Sequence, residues 1–200
     1  MSKTQIPTGG IADDAISEEH IDATAITGTT ALAATPASTD ELLISDAGTL
    51  KRIDFTHIYS TPAFQATAGT TAQTLSHNTF TKINLGTEVF DTDSAFGSNK
   101  FTVPSGEDGK YSFTYGIAVN NIDDGEKVQI KLYKNGSAVD NTHMRTINPT
   151  SNALSYCQTT QILTLSATDY IELYGMHEEG GDQDTNYSHV FLSGYKIIGV

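Results

Sequence analysis

Residues 101–119 read FTVPSGEDGKYSFTYGIAV, and the second half of this stretch decides the fold. Tyr111, Phe113, Tyr115, Ile117 and Val119 fall on one face of an extended chain, and Ser112, Thr114, Gly116 and Ala118 fall on the other. That alternation predicts a long strand whose bulky side faces a core. The small-residue side would let a second layer or a neighbouring chain approach closely, which a row of lysines or glutamates would prevent.

Downstream of this strand the punctuation is that of an all-β chain. Lys127 to Tyr133 alternates cleanly and runs into Lys134-Asn135-Gly136-Ser137, where Asn-Gly supplies the positive φ angles of a two-residue hairpin. Tyr156 to Leu165 and Tyr170 to Tyr174 read as two more strands around a turn at Ser166 to Asp169, and His189 to Ile198 as the last. Upstream, Pro62 to Ala66 and Thr79 to Phe90 carry further strand-like runs. Turn signals about every ten residues, with no strong helix pattern, predict a sandwich or jelly roll over residues 62–200.

Residues 1–30 differ in kind. Ile6, Ile11, Ile16, Ile21 and Ile26 recur at five-residue intervals, a spacing that fits neither helix nor strand, among small and acidic residues. A flexible acidic arm and a segment ordered only against another surface or its own copies both fit this pattern. Residues 31–61 form a connector: a polar, Pro36-containing link, then Glu41 to Ser45, a turn at Asp46-Ala47-Gly48, and Thr49 to Phe55 as a small β-hairpin. An isolated hairpin is marginal in water, so this one is expected to pack on a partner or on the head.

Gly109-x-Tyr111-x-Phe113-x-Tyr115, preceded by Phe101 and Pro104, resembles the aromatic signature of the complement component 1q globular head, which belongs with the tumour-necrosis-factor-like jelly rolls. Leu165-x-x-x-Asp169-Tyr170-Ile171-Glu172-Leu173 resembles the penultimate strand of that family, and Phe191-x-Ser193-Gly194-Tyr195-x-Ile197 its closing strand, with Leu192 as an extra residue. The resemblance implies a homotrimeric jelly-roll head over residues 62–200, with Phe101, Tyr111, Phe113, Tyr115, Phe191 and Tyr195 in its core. The collagen stalk of the animal proteins is absent, which sets complement function aside. The wording of residues 1–30 resembles short repeats in bacteriophage fibre and appendage proteins, and by that resemblance Ile6, Ile11, Ile16, Ile21 and Ile26 are expected to dock on a virion.

Twenty-four acids against eleven bases give a net charge of −13, spread as nine acids and three bases in residues 1–60 and fifteen and eight in the remainder. Such a chain repels nucleic acid, whose binding depends on basic residues. Cys157 is the single cysteine and implies no disulfide framework. The start of the chain has no apolar stretch of export-signal length, and no run reaches membrane-span length, so cytoplasmic synthesis without secretion or membrane insertion is expected.

No histidine pair, Gly-x-Ser-x-Gly elbow or phosphate-binding glycine loop points to catalysis, and no enzyme is expected. Glu178, Glu179, Asp182 and Asp184 crowd one loop with Gly180-Gly181 between them; hard oxygen donors for calcium and a solvated acidic turn both fit. The expected recognition loops are 120–126, 140–152 and 176–186, with His143, Arg145, Asn148, Asn152, Asp182 and Asp184 as contacts to a host-surface glycan or protein. The leading expectation is a trimeric bacteriophage fibre or appendage protein whose arm binds other virion proteins and whose head binds the host. A capsid decoration protein clamping shell subunits and a monomeric carbohydrate-binding sandwich are the alternatives.

Overall fold

A computed structural model of the chain describes residues 27–37, 39–59 and 61–197. The docking isoleucines Ile6, Ile11, Ile16, Ile21 and Ile26 lie outside the described residues. The chain divides into two compact units, Met1–Tyr59 and Ser60–Val200.

In the first unit, β1 (Glu41–Asp46) and β2 (Thr49–Asp54) pair antiparallel, from Glu41 opposite Asp54 to Asp46 opposite Thr49. Ala47 and Gly48 form the tip with φ of 50° and 85°, the left-handed pair that matches strand twist in a two-residue hairpin. Lys51 pairs with Asp46, and Arg52 with Glu41 at 2.9 Å. The expected small hairpin is therefore present. A single helical turn, Thr56–Tyr59, follows it.

The second unit is a jelly-roll sandwich. Its strands, in chain order, are β3 (Ala63–Thr67), β4 (Thr74–Leu75), β5 (Thr81–Lys82), β6 (Thr87–Asp91), β7 (Phe96–Gly97), β8 (Lys100–Thr102), β9 (Gly109–Ile122), β10 (Lys127–Lys134), β11 (Ser137–Ala138), β12 (Met144–Ile147), β13 (Ala153–Leu165), β14 (Tyr170–His177), β15 (Gln183–Asp184) and β16 (Phe191–Lys196). One sheet runs β13-β9-β16-β3-β6. The facing sheet runs β11-β10-β14-β8-β7, with β12 also on β10 and β5 also on β14. Neighbours distant in sequence, such as β3 beside β16, give the crossed connections of a jelly roll.

Strand β9 organises the core. Tyr111, Phe113, Tyr115, Ile117 and Val119 are all buried, as the alternation predicts, and Phe101 joins them from the facing sheet. Phe64 stacks on Phe101 at 4.6 Å and 7°, and Phe113 meets Phe101 nearly edge-on at 6.0 Å. Such ring pairs add about 0.5–1.5 kcal/mol each beyond the area they bury. The phenols find carbonyls: Tyr111 donates to Glu107 and Tyr115 to Thr142. Burial pushes the Tyr115 phenol up to about 12 and raises that of Tyr111 as well, so both stay neutral donors.

Phe191 and Tyr195 do not belong to this core. Tyr195 is 55% exposed and Phe191 is only partly covered, because the inward positions of β16 are taken by Leu192 and Gly194. Gly194 sits where Phe113 and Phe64 crowd the backbone: a Cβ there would lie 2.7 Å from Phe113 and 2.9 Å from Phe64. Residues 140–152 are not one open loop either, since β12 runs through them.

The Asn135-Gly136 turn forms as read, with φ of 52° and 77°. It is clamped to the neighbouring turn by Asp169, which accepts from Asn135 Nδ2 at 2.6 Å and Ser166 N at 2.8 Å and pairs with Lys134 at 2.6 Å. The Lys134 and Ser166 hydrogen bonds hold its carboxyl at about 2, below its ordinary 3.8.

Gly194→Ala should cost about 1–3 kcal/mol by overpacking, read as a lower urea midpoint. Asp169 contributes stability that is complete above pH 3.8 and is lost as pH falls toward about 2. Asp169→Asn should therefore be less stable than wild type at pH 7, and the two proteins should converge between pH 4 and pH 2 in urea titrations.

Candidate functional site

The outward face of the β13-β9-β16-β3-β6 sheet has the properties of a contact surface. Strand register lays its side chains in rows: Ile162, Ser112, Tyr195 and Ala63; then Thr160, Thr114, Ser193 and Gln65; then Gln158, Gly116, Phe191 and Thr67. No charged side chain stands in these rows, although the chain carries −13. Tyr156 and Ile162 are 49% and 55% exposed, and Phe90 is also open on β6. Large apolar groups around small central residues, in three rows without charge, have the composition of a protein-contact surface; Lys110, beside Thr164 in the next row, is the nearest charge along β9 on this face.

A hollow of about 200 Å³ lies within this face, lined by Gly116, Tyr156, Gln158, Ser188, His189 and Phe191. Tyr156 and His189 meet edge to face at 5.0 Å on its rim. Its floor is open because Gly116 has no side chain, and a Cβ there would come within 2.8 Å of Gln158 and 3.0 Å of Phe191. The hollow has room for one large side chain. Cys157, beside it in sequence, is buried, and burial raises its thiol, so it offers no ready thiolate.

The opposite face, on the β10-β14 sheet, is laced with ion pairs: Lys82 with Glu172 at 2.7 Å, Lys131 with Asp140 at 3.4 Å, and Lys127 with Glu178. Tyr133 stacks on Tyr174 at 3.7 Å, and Lys100 stands 4.2 Å from the Tyr170 ring centre. This is the pattern of a solvated face. His143 and Arg145 belong to it rather than to a loop tip: His143 Nε2 lies 2.8 Å from Gln129 Oε1, and Arg145 sits opposite Gln129 on β12. Burial, with Lys131 and Arg145 nearby, lowers the His143 pKa.

The other expected contacts gather at one end of the sandwich. Asp123 N donates to Glu179 Oε2 at 2.9 Å, Asn152 N to Asp123 Oδ1 at 2.8 Å, and Gly125 N to the Asn148 carbonyl at 2.8 Å. Loops 120–126, 148–152 and 178–181 are thus hydrogen-bonded into one surface. Asn148 is not available to a ligand: it is 4% exposed, and its Nδ2 donates to the carbonyls of Ile122 and Thr150. Asn152 is exposed.

The four carboxylates of the acidic loop do not converge. Glu178 is taken by Lys127 and by Gln129 Nε2 at 2.6 Å, Glu179 caps Asp123 N, Asp184 accepts from Thr74 Oγ1 at 2.6 Å, and Asp182 is exposed. Among the described residues no group of three or more His, Cys, Asp or Glu is placed to hold a metal ion. The carboxylates stand apart because each is held by a different partner: Glu178 by Lys127 and Gln129, Glu179 by the Asp123 N–H, and Asp184 by Thr74.

No protein-family model matches the sequence, and no curated protein matches it. In structure the chain is similar to the globular domain of zebrafish complement 1qA protein, with a TM-score of 0.52 at 12% identity over 70% of this chain and 99% of that one. It is also similar to the Eiger tumour necrosis factor from S. frugiperda, TM-score 0.51 at 12% identity over 70% and 94%. Murine APRIL gives 0.50 at 12% identity over 69% and 100%. At this identity the likeness shows the fold alone: the second unit is a jelly roll of the complement 1q and tumour-necrosis-factor type.

Asn148→Ala should lower stability by about 2 kcal/mol by leaving buried carbonyls without donors, whereas Asn152→Ala should stay within about 0.5 kcal/mol. Millimolar calcium should leave the melting temperature unchanged; a rise of several degrees would contradict the dispersed acidic loop.

Proposed function

We propose that this chain is a non-enzymatic structural protein of a bacteriophage particle. Its jelly-roll heads associate as a homotrimer, its N-terminal residues bind other virion proteins, and the loop end of the head contacts the host surface. The observation that carries the self-association is the uncharged face around Gly116. Three copies each bearing −13 repel one another, which favours a meeting surface that adds no further like charge. The rows from Ser112 to Gly116 and their neighbours on β13 and β16 are such a surface.

Trimerisation gives weak loop contacts force. Three joined loop surfaces act at high effective concentration, so each can bind weakly. The gathered loops 120–126, 148–152 and 178–181 supply that surface, with Asn152 and Asp182 as its exposed polar groups. The virion assignment rests on the five-residue isoleucine repeat of residues 1–30 and its resemblance to phage appendage sequences. Synthesis in the host cytoplasm without secretion belongs to the same reading.

Light scattering on the full chain should give a mass three times that of one 21.4 kDa chain. Ile162→Lys with Tyr195→Asp should give a folded monomer, by placing charges in the contact face. A wild-type monomer would instead favour a single-chain carbohydrate-binding sandwich. Deletion of residues 1–30 should remove the protein from particles, and binding of the isolated head to shells rather than to cells would point to capsid decoration.

A further inference from the structure

We propose that Asn135 is a covalent-modification site: its side-chain amide is lost by deamidation through attack of the Gly136 nitrogen, and Asp169 is the gate that holds this reaction back in the folded head. The inference concerns the end of the sandwich where β10 turns into β11, and it does not depend on the self-association proposed above.

Asn-Gly occurs once in the chain, at residues 135–136. In such a pair the backbone nitrogen of the glycine attacks Cγ of the asparagine. A C–N bond forms and closes a cyclic imide, the Cγ–Nδ2 bond breaks, and Nδ2 leaves as ammonia with the proton of the attacking N–H. Water then opens the imide at either carbonyl, leaving an aspartate or its isomer in which the main chain runs through the side-chain carbon. Glycine obstructs the approach least, because it has no Cβ. Asn135 and Gly136 are both exposed, so water reaches the turn.

The folded turn opposes each step. Asn135 Nδ2 donates to Asp169 Oδ1 at 2.6 Å, and Asn135 Oδ1 accepts from Tyr170 N at 2.9 Å. Two bonds on one amide fix its plane, and Asn135 N, donating to the Tyr170 carbonyl at 3.0 Å, holds the backbone of the same residue. Attack requires the amide to turn the face of its carbonyl carbon to Gly136 N, and that rotation gives up the bonds to residues 169 and 170. The nitrogen that must leave is the one bonded to Asp169. Its acceptor is a carboxylate, and hydrogen bonds to charged groups are the stronger ones. Asp169 is itself held in place by Lys134 Nζ at 2.6 Å and Ser166 N at 2.8 Å.

The product reverses the clamp. Asparagine offers Asp169 a donor; an aspartate offers none, and sets a second carboxylate where Nδ2 lay 2.6 Å from Asp169 Oδ1. The isomer also lengthens the main chain of a two-residue turn whose flanking pair, Lys134 opposite Ser137, fits that length. Conversion therefore unlocks the turn at 135–136 from the turn at 166–169. It proceeds through those openings in which Asn135 has already left Asp169.

The test is peptide mass spectrometry of the full chain aged in mildly alkaline buffer, which reads the replacement of amide by acid at residue 135. Wild type unfolded in urea should convert at Asn135 at least about tenfold faster than folded wild type. Folded Asp169→Ala, which offers no acceptor, should also convert at least about tenfold faster, whereas Lys134→Gln, which keeps the Asp169–Asn135 bond, should stay within about threefold of wild type. The urea comparison needs no variant, so it decides the gate even if Asp169→Ala does not fold. Equal rates in the folded and unfolded chain, or a Lys134→Gln variant as fast as folded Asp169→Ala, would overturn the gate. An unfolded chain in which Asn135 converts no faster than Asn152 would overturn the site. Asn135→Asp should be less stable than wild type in urea, and adding Asp169→Asn should recover part of the loss, because residue 169 then donates. Losses that simply add would overturn the reversal of the clamp.

Discussion

The fold depends on aromatic rings of β9 lying against bare backbone. Phe113 fills the space over Gly194 on the neighbouring strand, and on the facing sheet Ile117 and Ile83 close over Gly175, where a Cβ would lie 2.6 Å from one and 2.9 Å from the other. Close-packed interiors tolerate little change of volume, so these glycines are as much part of the core as the rings. β9 carries five bulky residues inward and small ones, Ser112, Thr114, Gly116 and Ala118, outward. Those small residues are what flatten the opposite face.

That alternation ties the composition of the outer face to the core. Ser112, Thr114, Gly116 and Ala118 interleave with Tyr111, Phe113, Tyr115 and Ile117, so one strand writes both surfaces. The larger apolar side chains of the outer face come from the flanking strands, as Tyr156 and Ile162 on β13 and Phe191 and Tyr195 on β16. Charge is sorted with equal consequence. The β10-β14 face spends its lysines on neighbouring carboxylates, while the β9 face carries none in its central rows. Under the proposed self-association these rows let an acidic chain meet its own copies at low electrostatic cost.

The strand β9, the Asn135-Gly136 turn and the small hairpin were legible because each depends on local chemistry: a period of two, or backbone angles that few residues adopt. Phe191 and Tyr195 were misplaced because β16 is apolar on both faces. In Val190-Phe191-Leu192-Ser193-Gly194-Tyr195 size suggests that the aromatics are buried, and only the close approach of Phe113 and Phe64 shows that Gly194 holds the inner position. Asn148 looked like a recognition residue because an amide in a polar stretch is ordinarily exposed. Its burial follows from carbonyls of Ile122 and Thr150 that bend back on it, a tertiary arrangement with no sequence signal. Of the two readings of the acidic loop, the arrangement follows the solvated turn, since proximity along the chain did not become convergence in space. The outward face of β9 was visible as a row of small residues, but its apolar rim was not, because Ile162 and Tyr195 are distant in sequence from that row.

The most direct measurement of the central claim is hydroxyl-radical footprinting of the assembled full chain, comparing Tyr156, Ile162 and Tyr195 with Met144 on β12 of the opposite sheet. All four are substantially exposed in the single chain. If the β9 face is where copies meet, Tyr156, Ile162 and Tyr195 should be protected in the assembly and labelled on dilution to monomer, while Met144 is labelled in both. Labelling of Tyr195 and Ile162 at unchanged rates in an assembled particle would contradict the account and move the contact surface elsewhere on the head.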